Sequence, residues 1–322
     1  MSMLSYLVRR VGFLAVTLLF VTLITFVVTS VLPGDVAVLI LGPNASEASL
    51  QALRADLGLN QPLWQQYLDW VWALLHLDLG QSLRFSEPVW GLIAEKLPRS
   101  LLLAVAATAF AVVLSLPLGV IAAVKQNEPA DVAASTFGFV GVSIPIFLWG
   151  LVFILVFAVW LNLFPTGGFV APSQAENGWL TTIRHLVLPA TSMGFALTAY
   201  VMRMTRSSML EELGEEYVKL ARAKGMSERV VVLRHAFRNA VIPVITVVAF
   251  QFAYAFGGIV VLEQVFFWPG IGQLTLTAIQ ARDVPLIQGC IIVVAMIYML
   301  SNLTADVLYA YFDPRIRYGG EA

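Results

Sequence analysis

Long stretches without charged residues recur along the chain and predict membrane-spanning helices. Four of these runs are long enough to cross a bilayer, namely Val11–Leu32, Ser100–Val124, Asn239–Leu262 and Val284–Ala305. A helix rises about 1.5 Å per residue, so about 20 apolar residues cross the hydrocarbon core. The run Leu186–Met202 is at the short end of this range, and its flanking residues extend it.

One further uncharged stretch, Val132–Ala175, is too long for a single crossing. Its second half has the composition of a loop, with Asn162, Pro165, Gly167, Gly168 and Pro172. We therefore predict one helix at Thr136–Leu161 and a loop after it. The chain then has six spans, and the expected fold class is an all-α integral membrane protein.

The long segment between the first two spans carries signals for short helices. Ser46 and Ser49 are candidate N-caps of a helix that ends at Gly58. Pro62 begins a second helix, and Ser86-Glu87-Pro88 resembles the start of a third. The second helix carries Trp64, Tyr67, Trp70 and Trp72. Such aromatic residues favour the membrane interface, although they also suit a partner-binding surface.

The composition argues against the soluble classes of protein. Hydrophobic residues make up 59% of the 322 residues and charged residues 12%, and the mean hydropathy is +0.83. Soluble domains have about 25% charged residues, so a soluble enzyme, an extracellular binding domain and a disordered chain are poor interpretations. The net charge of −1 provides no basic field for nucleic acid. The single cysteine, Cys290, can form no internal disulfide.

The distribution of basic residues predicts how the spans are oriented. With six spans, both termini lie on the same side of the membrane as the 203–238 segment. Of the 19 Lys and Arg residues, 13 fall on that side and 6 on the other. Because cytoplasmic loops carry the excess of Lys and Arg, we expect both termini and the 203–238 segment to be cytoplasmic.

The first half of the 203–238 segment predicts a helix over Met209–Lys224. One face of this helix carries Leu210, Leu213, Tyr217, Leu220 and Lys224. Glu215 precedes Lys219 by four residues, which is a favourable order of charges along a helix. Gly225 suits the left-handed position at which a helix stops.

The second half of the segment predicts another helix, which runs into the fifth span. Ser227 is the candidate N-cap, and Glu228 is favourable at the positive end of the helix. Membrane insertion alone explains a basic inner loop. It does not explain two capped helices joined by the small-residue turn Leu220–Gly225.

The residues Glu216–Glu228, followed by Arg234–Pro243, resemble the permeases of ATP-binding-cassette (ABC) importers. The resemblance is to the dipeptide/oligopeptide/nickel branch and to its first, B-type permease subunit. It continues in chain order through Leu32–Asp35, Leu57–Pro62, Asp78–Ser82, Phe267–Gly272, Arg282–Pro285 and Asp313–Tyr318. This resemblance implies the type I importer permease fold, with six helices.

In that family, the helix before the glycine is the coupling helix, which binds in a groove of an ATPase subunit. The corresponding residues here are Tyr217, Val218, Lys219, Leu220, Ala221, Arg222, Ala223, Lys224 and Gly225. Lys219 stands where the general importer motif has Glu, and Pro243 follows Gly225 by 18 residues, further than usual. The peptide branch shares both departures.

The resemblance also implies partners, domains and a location. We expect a second homologous permease, two cytoplasmic ATPase subunits and an extracytoplasmic solute-binding protein, in a prokaryotic cytoplasmic (inner) membrane. The expected cargo is a di- or oligopeptide, or a related compound such as glutathione or a nickel chelate.

The resemblance also divides the chain into regions. Residues 1–99 would hold the first span and the outer loop, residues 100–317 the five-helix core with the 203–238 segment, and residues 318–322 a short tail. Phe266–Gly272 is a candidate contact for the binding protein.

We expect no catalytic residue, metal site or cofactor in this chain, since ATP and Mg would be used by the partner ATPases. The chain has no Gly-x-x-x-x-Gly-Lys-Ser/Thr motif for phosphate binding. An intramembrane enzyme would need a histidine near a nucleophile, but the three histidines fall in loops or at span ends: His76, His185 and His235. An ion-coupled transporter needs ionisable residues within spans, and the candidates are Glu263 and Asp306.

The residues that line the substrate path stay unassigned. Candidate positions for loosened helices are Gly141–Pro145, Gly257-Gly258 and Pro117 with Gly119. Each of them equally suits close packing of helices through small residues. The absence of a ring of charges favours a broad passage, with selection by the binding protein.

Overall fold

The computed structural model describes residues 3–31, 36–42, 44–56, 58–174 and 176–312. These residues form helices joined by loops and contain no β-strand. The helices are α1 (Met3–Ser30), α2 (Val36–Leu41), α3 (Glu47–Asp56), α4 (Leu63–Leu75), α5 (Val89–Val124), α6 (Pro129–Ser143), α7 (Ile146–Phe153), α8 (Trp179–Gly214), α9 (Glu216–Ala223), α10 (Glu228–Val230), α11 (Phe237–Val265), α12 (Ile271–Ala281) and α13 (Val284–Phe312). The π-helical segments Ile154–Trp160 and Val231–Ala236 continue α7 and α10. Residues 32–35, Leu57 and 313–318 of the quoted motifs lie outside the described residues.

Five helical segments of the described chain are long and apolar enough to cross a membrane. They are Val8–Ser30, Val89–Val124, Trp179–Gly214, Glu228–Val265 and Val284–Leu308. The pair α6 and α7, with its π-helical continuation, passes the same test as one bent span, which gives six. The predicted all-α fold with six spans is therefore confirmed.

The third span is broken, so the prediction of one continuous helix at Thr136–Leu161 is wrong. α6 ends at Ser143, α7 begins at Ile146, and the two axes differ by 102°. Pro145 causes the break because it has no amide hydrogen and disfavours helical geometry in the residue before it. Ile144 is accordingly extended, with φ −111° and ψ 134°. The indole of Trp149 donates to the carbonyl of Gly141 at 3.1 Å and satisfies one of the freed backbone groups.

Two spans are longer than their apolar runs. The helix predicted to start at Ser86–Pro88 does start there, but it is the beginning of α5 and continues through the second span to Val124. α8 extends well beyond Leu186–Met202 at both ends and contains Pro189. Helices of this length carry the chain past the apolar core of a bilayer, which is about 30 Å thick.

The described chain comprises two compact units. The first contains residues 3–10, 99–269 and 297–312, and the second contains 11–98 and 270–296. The core of the first unit is apolar and built from α5, α8 and α11 together with the loop that follows α11. Its largest fully buried side chains include Leu103, Met193, Phe256, Phe266 and Trp268. The predicted division at residues 99/100 stays a prediction.

Close packing explains two of the candidate path glycines in the first unit. A Cβ atom on Gly119 would lie 2.6 Å from the Cβ of Thr205, and one on Gly141 would lie 2.6 Å from the carbonyl oxygen of Phe195. Real Cβ contacts are not this short. These glycines therefore bring α5 and α6 against α8, as small residues commonly do in membranes.

The second unit holds the short helices that the sequence predicts. Ser46 caps α3 through a bond from the amide of Ser49 at 3.2 Å, whereas Ser49 itself lies inside the helix. α4 begins after Pro62, and its Tyr67 ring packs edge-on against Phe26 of α1 with 5.4 Å between the centroids. Of the aromatic residues on α4, Trp64 and Trp72 stay exposed.

Two of the quoted motifs meet in the second unit. The carboxylate of Asp283 accepts from the hydroxyl of Ser82 at 2.5 Å and from the amide of Arg84 at 3.1 Å. Its other oxygen accepts from the amide of Leu286 in the first turn of α13, at 3.2 Å. Asp283 thus caps α13 and holds the 82–84 loop against it.

Candidate functional site in the 203–238 segment

The 203–238 segment contains a helix break that the sequence pattern did not predict. The predicted helix Met209–Lys224 is wrong as one element, because α8 ends at Gly214 and α9 begins at Glu216. Glu215 is extended, with φ −68° and ψ 149°, and its carbonyl accepts from the amides of Val218 and Lys219 at 3.1 and 3.2 Å. Gly214 favours a break because glycine lowers helix stability by about 1 kcal/mol relative to alanine.

α9 packs one face against the ends of the longer helices. Val218 is fully buried, and Ala221 is 5% exposed. Both belong to an apolar cluster whose other members include Ala123, Met209, Val231 and Ala236. The small side chain of Ala221 lets α9 lie close to its neighbours, and the buried face fixes the orientation of the helix.

The hydroxyl of Tyr217 joins three helices by hydrogen bonds. It donates to the carboxylate of Glu212 on α8 and accepts from the amide of Asn239 on α11 at 2.9 Å. Burial, together with the bond to Glu212, raises the pKa of Tyr217 to about 12. Tyr217 is therefore a neutral donor at any physiological pH.

The turn after α9 is closed by an ion pair across Gly225. The Arg222 guanidinium contacts the Glu228 carboxylate through two bonds, of 2.7 and 3.2 Å, and this partner raises the pKa of Arg222. Gly225 has φ +78°, as its predicted role as a helix stop requires. Both side chains of the pair are partly exposed, so its main effect is on geometry rather than stability.

Two details of the predicted segment are corrected. Lys219 pairs with Glu216 at 2.7 Å rather than with Glu215, because Glu215 precedes the helix, and Lys219 lowers the pKa of Glu216. Ser227 occupies the N-cap position of α10, but its hydroxyl makes no capping bond. Its carbonyl accepts from the amides of Val230 and Val231 instead. The helix that starts at Glu228 does continue into the fifth span, as expected.

The exposed surface of the segment carries several large apolar side chains among charged ones. Leu220 on α9 is 56% exposed, and other large apolar side chains lie open near it in sequence: Tyr217, Met226, Val230 and Leu233. A helix that is held by its buried face and exposes apolar side chains among charged ones is suited to binding another protein.

An ion pair that the sequence analysis missed holds α6 to α8, two turns before α8 ends. Arg206 contacts both carboxylate oxygens of Asp131 at 2.8 Å. Asp131 is 5% exposed and also accepts from the amide of Asn127 and the hydroxyl of Ser135. No local pattern could indicate this pair, because the two residues are 75 positions apart.

The candidate ionisable residues of the spans have structural partners. Glu263 is fully buried and accepts from the hydroxyl of Ser100 at 2.5 Å. Asp306 contacts Arg10 at 3.0 Å.

Two of the three histidines also have hydrogen-bond partners. A ring nitrogen of His185 bonds the carbonyl of Gly167, and a ring nitrogen of His76 bonds the carbonyl of Trp72. Within the described residues, no three His, Cys, Asp or Glu side chains lie together as a metal site would need.

The candidate binding-protein segment is mostly buried in its first part. Phe266 and Trp268 are fully buried, whereas Phe267 is 70% exposed. The Trp268 indole donates to the carbonyl of Arg99 at 3.1 Å, and the amide of Gly168 donates to the carbonyl of Phe266 at 2.7 Å. Of these three residues, only Phe267 offers its side chain to a partner.

Comparison with protein families decides the class of this chain. Residues 115–318 match the model of the binding-protein-dependent transport system inner membrane component, and residues 3–104 match the N-terminal model of the same membrane components. The chain belongs to this family. Members of the binding-protein-dependent transport family are the permease subunits of ABC importers, so the chain is not an enzyme and a separate subunit hydrolyses ATP. It is a multi-pass protein of the inner membrane and works in a complex with an ATPase and a binding protein.

Several relatives within the family align over nearly the whole chain. The dipeptide transport system permease protein DppB of Escherichia coli K12 is 38% identical, over 98% of this chain and 99% of its own length. The di/tripeptide transport system permease protein DppB of Pseudomonas aeruginosa is 41% identical over the same shares. A putative peptide transport system permease protein of Brucella abortus is 39% identical, over 98% of this chain and all of its own length.

Solved structures support the fold. The chain resembles two inward-facing crystal forms of the MetNI methionine ABC transporter, with TM-scores of 0.56 and 0.54. The alignments cover 71% of this chain and all of the matched chain, at 16% and 17% identity. The permease fold of ABC importers, inferred from the sequence motifs, is thereby confirmed.

Proposed function

We propose that this chain is one of two homologous permeases in an ATP-driven importer that takes up di- or oligopeptides. The observation that carries the proposal is the full-length similarity to permeases named for dipeptide and di/tripeptide transport. A solute-binding protein delivers the peptide, and two ATPase subunits bind and hydrolyse ATP with Mg. This chain itself binds no cofactor.

The coupling element of the proposed importer is Tyr217–Gly225, centred on α9. The exposed Leu220 enters a groove of the ATPase subunit, while Val218 and Ala221 bind α9 to the permease. When the ATPases move, α9 moves as a rigid piece. The motion then reaches α8 and α11 through the hydroxyl of Tyr217 and reaches α10 through the ion pair of Arg222. Both termini and the 203–238 segment face the cytoplasm in this arrangement.

The test replaces Leu220 with arginine in a tagged version of the chain. The variant is expressed in the native host together with the other subunits of the proposed importer. Leu163→Arg is the matched control, because Leu163 is also about half exposed and lies outside the coupling element. Purification in mild detergent measures which subunits come with the chain and at what stoichiometry. ATP-driven uptake of a labelled dipeptide into proteoliposomes measures function.

We expect the wild type and Leu163→Arg to retain a second permease and two ATPase chains and to transport the dipeptide. Leu220→Arg should lose the ATPase chains and reduce uptake by about tenfold or more, since a desolvated charge without a partner costs several kcal/mol. A wild-type chain that purifies alone and transports solute without ATP would overturn the proposal. Equal ATPase recovery with Leu220→Arg would overturn the role of α9.

A further inference from the structure

A cavity of about 260 Å³ opens beside the break in the third span, within the first unit. The break itself forms one wall, with Ile144 and Pro145. Met193 and Tyr200 of α8 and Tyr254 of α11 complete it. The lining is mainly apolar, with a few polar atoms. This mixture is typical of sites that bind small molecules in a preformed cavity.

The two tyrosines that line the cavity are both partly exposed. Tyr200 is 44% exposed and Tyr254 is 64% exposed, although both belong to helices that cross the membrane. Among the described residues, neither hydroxyl has a hydrogen-bond partner. A polar group without a partner is costly inside a bilayer, so these hydroxyls need water or a ligand beside them.

A guanidinium without a carboxylate partner lines a separate, smaller pocket next to the cavity, one helical turn further along α8. Arg203 follows Tyr200 by three residues on α8, and its Cζ stacks over the rings of Phe139 and Tyr200 at 5.1 and 6.0 Å. Within the described part of the chain it forms no ion pair. The stacking holds the guanidinium against the protein surface and leaves its donors open to an anion.

We propose that this cavity, with Tyr200, Tyr254 and Arg203, is a binding site for the cargo peptide on its way through the membrane. The inference rests on the proposed function and names the part of this chain that contacts the cargo. Every peptide has backbone amides, which the tyrosine hydroxyls can bond, and a terminal carboxylate, which Arg203 can bind. The apolar wall accepts different side chains, so such a site suits a broad range of peptides.

The direct test is photo-crosslinking in the complete importer, with binding protein and ATP present. A benzophenone amino acid replaces Tyr254 in one variant and Tyr200 in another, and the probe is a radiolabelled dipeptide. Tyr298 is the matched control position, because it is 49% exposed on α13, has no hydroxyl partner among the described residues and lies outside the cavity. We expect labelled dipeptide on the chain at positions 254 and 200, and none at 298.

A second measurement separates binding from assembly. Uptake of the dipeptide is normalised to the amount of assembled complex for Tyr254→Phe, Arg203→Gln and the control Tyr298→Phe. We expect Tyr254→Phe to lower uptake about fivefold, as the loss of one hydrogen bond does. Arg203→Gln should lower it by tenfold or more, with partial recovery in Arg203→Lys, because a charged hydrogen bond is about twice as strong as a neutral one.

The outcomes distinguish this inference from the proposed function. If the wild-type importer does not transport the dipeptide, the proposed function fails. If it transports but positions 254 and 200 crosslink only to a neighbouring subunit or to phospholipid, the cavity is an interface and the inference is overturned. Uptake in Tyr254→Phe and Arg203→Gln equal to that in Tyr298→Phe would overturn it as well.

Discussion

The ion pair between Arg206 and Asp131 holds α6, the first half of the broken span, to the end of α8 that leads into α9. Asp131 is nearly fully buried and receives four hydrogen bonds, two of them from the guanidinium. Buried charges of this kind add little stability over apolar residues but are costly to leave without a partner. The pair therefore fixes the position of α6 relative to the end of α8.

Replacing one partner of this pair should destabilise the chain strongly. We expect Arg206→Gln to lower the free energy of unfolding by about 3–5 kcal/mol, because Asp131 is then a buried charge without its main partner. The double variant with Asp131→Asn should regain part of the loss, since it removes the orphaned charge. The measurement is the thermal unfolding of the purified complex. Lys125→Gln is the control, because its pair with Glu128 is exposed and should be worth less than about 1 kcal/mol.

A loss in Arg206→Gln no larger than that in Lys125→Gln would contradict this assignment. So would a double variant that is less stable than Arg206→Gln alone. The single variant Asp131→Asn completes a double-mutant cycle, which isolates the interaction between the two side chains.

At the scale of elements, apolar runs predict where the spans lie but not where a helix within or after a span breaks. The six spans follow from uncharged stretches because the hydrocarbon core admits few other sequences. Pro145 is itself a sequence signal for the break in the third span. The long uncharged run around it nevertheless favours one continuous helix. The break after Gly214 had a weaker signal, because the spacing of apolar residues continues across it. The pairing of Arg206 with Asp131 had none, since tertiary packing alone brings them together.

A substitution at Gly225 tests the backbone conformation of the turn without disturbing side-chain packing. The φ of Gly225 is +78°, and a Cβ atom there would meet nothing within 4 Å. Gly225→Val should therefore cost about 1–2 kcal/mol through the backbone alone. We expect it to shift α9 and lower ATP-driven uptake several-fold. Gly225→Asn is the control and should stay near wild type, because asparagine tolerates the left-handed conformation. Equal uptake in both variants would show that the turn angle does not matter for coupling.

At the scale of the whole molecule, the orientation in the membrane decides whether α9 can meet an ATPase. The positive-inside rule predicts that the 203–238 segment lies in the cytoplasm and that the loop between the third and fourth spans lies outside. Ser227 and Ser173 are exposed serines in these two regions. Serine and cysteine are close in size, so Ser227→Cys and Ser173→Cys are a matched pair of reporters.

Labelling with a membrane-impermeant maleimide on intact spheroplasts tests this orientation. The wild type is the blank, because its single cysteine, Cys290, is fully buried. We expect Ser173→Cys to be labelled at once and Ser227→Cys only after the membrane is opened. The reverse pattern would put α9 on the outer face, where no ATP is available, and would rule out coupling through it. Labelling of both sites on intact spheroplasts would contradict the single crossing that separates the two regions, namely the span Trp179–Gly214.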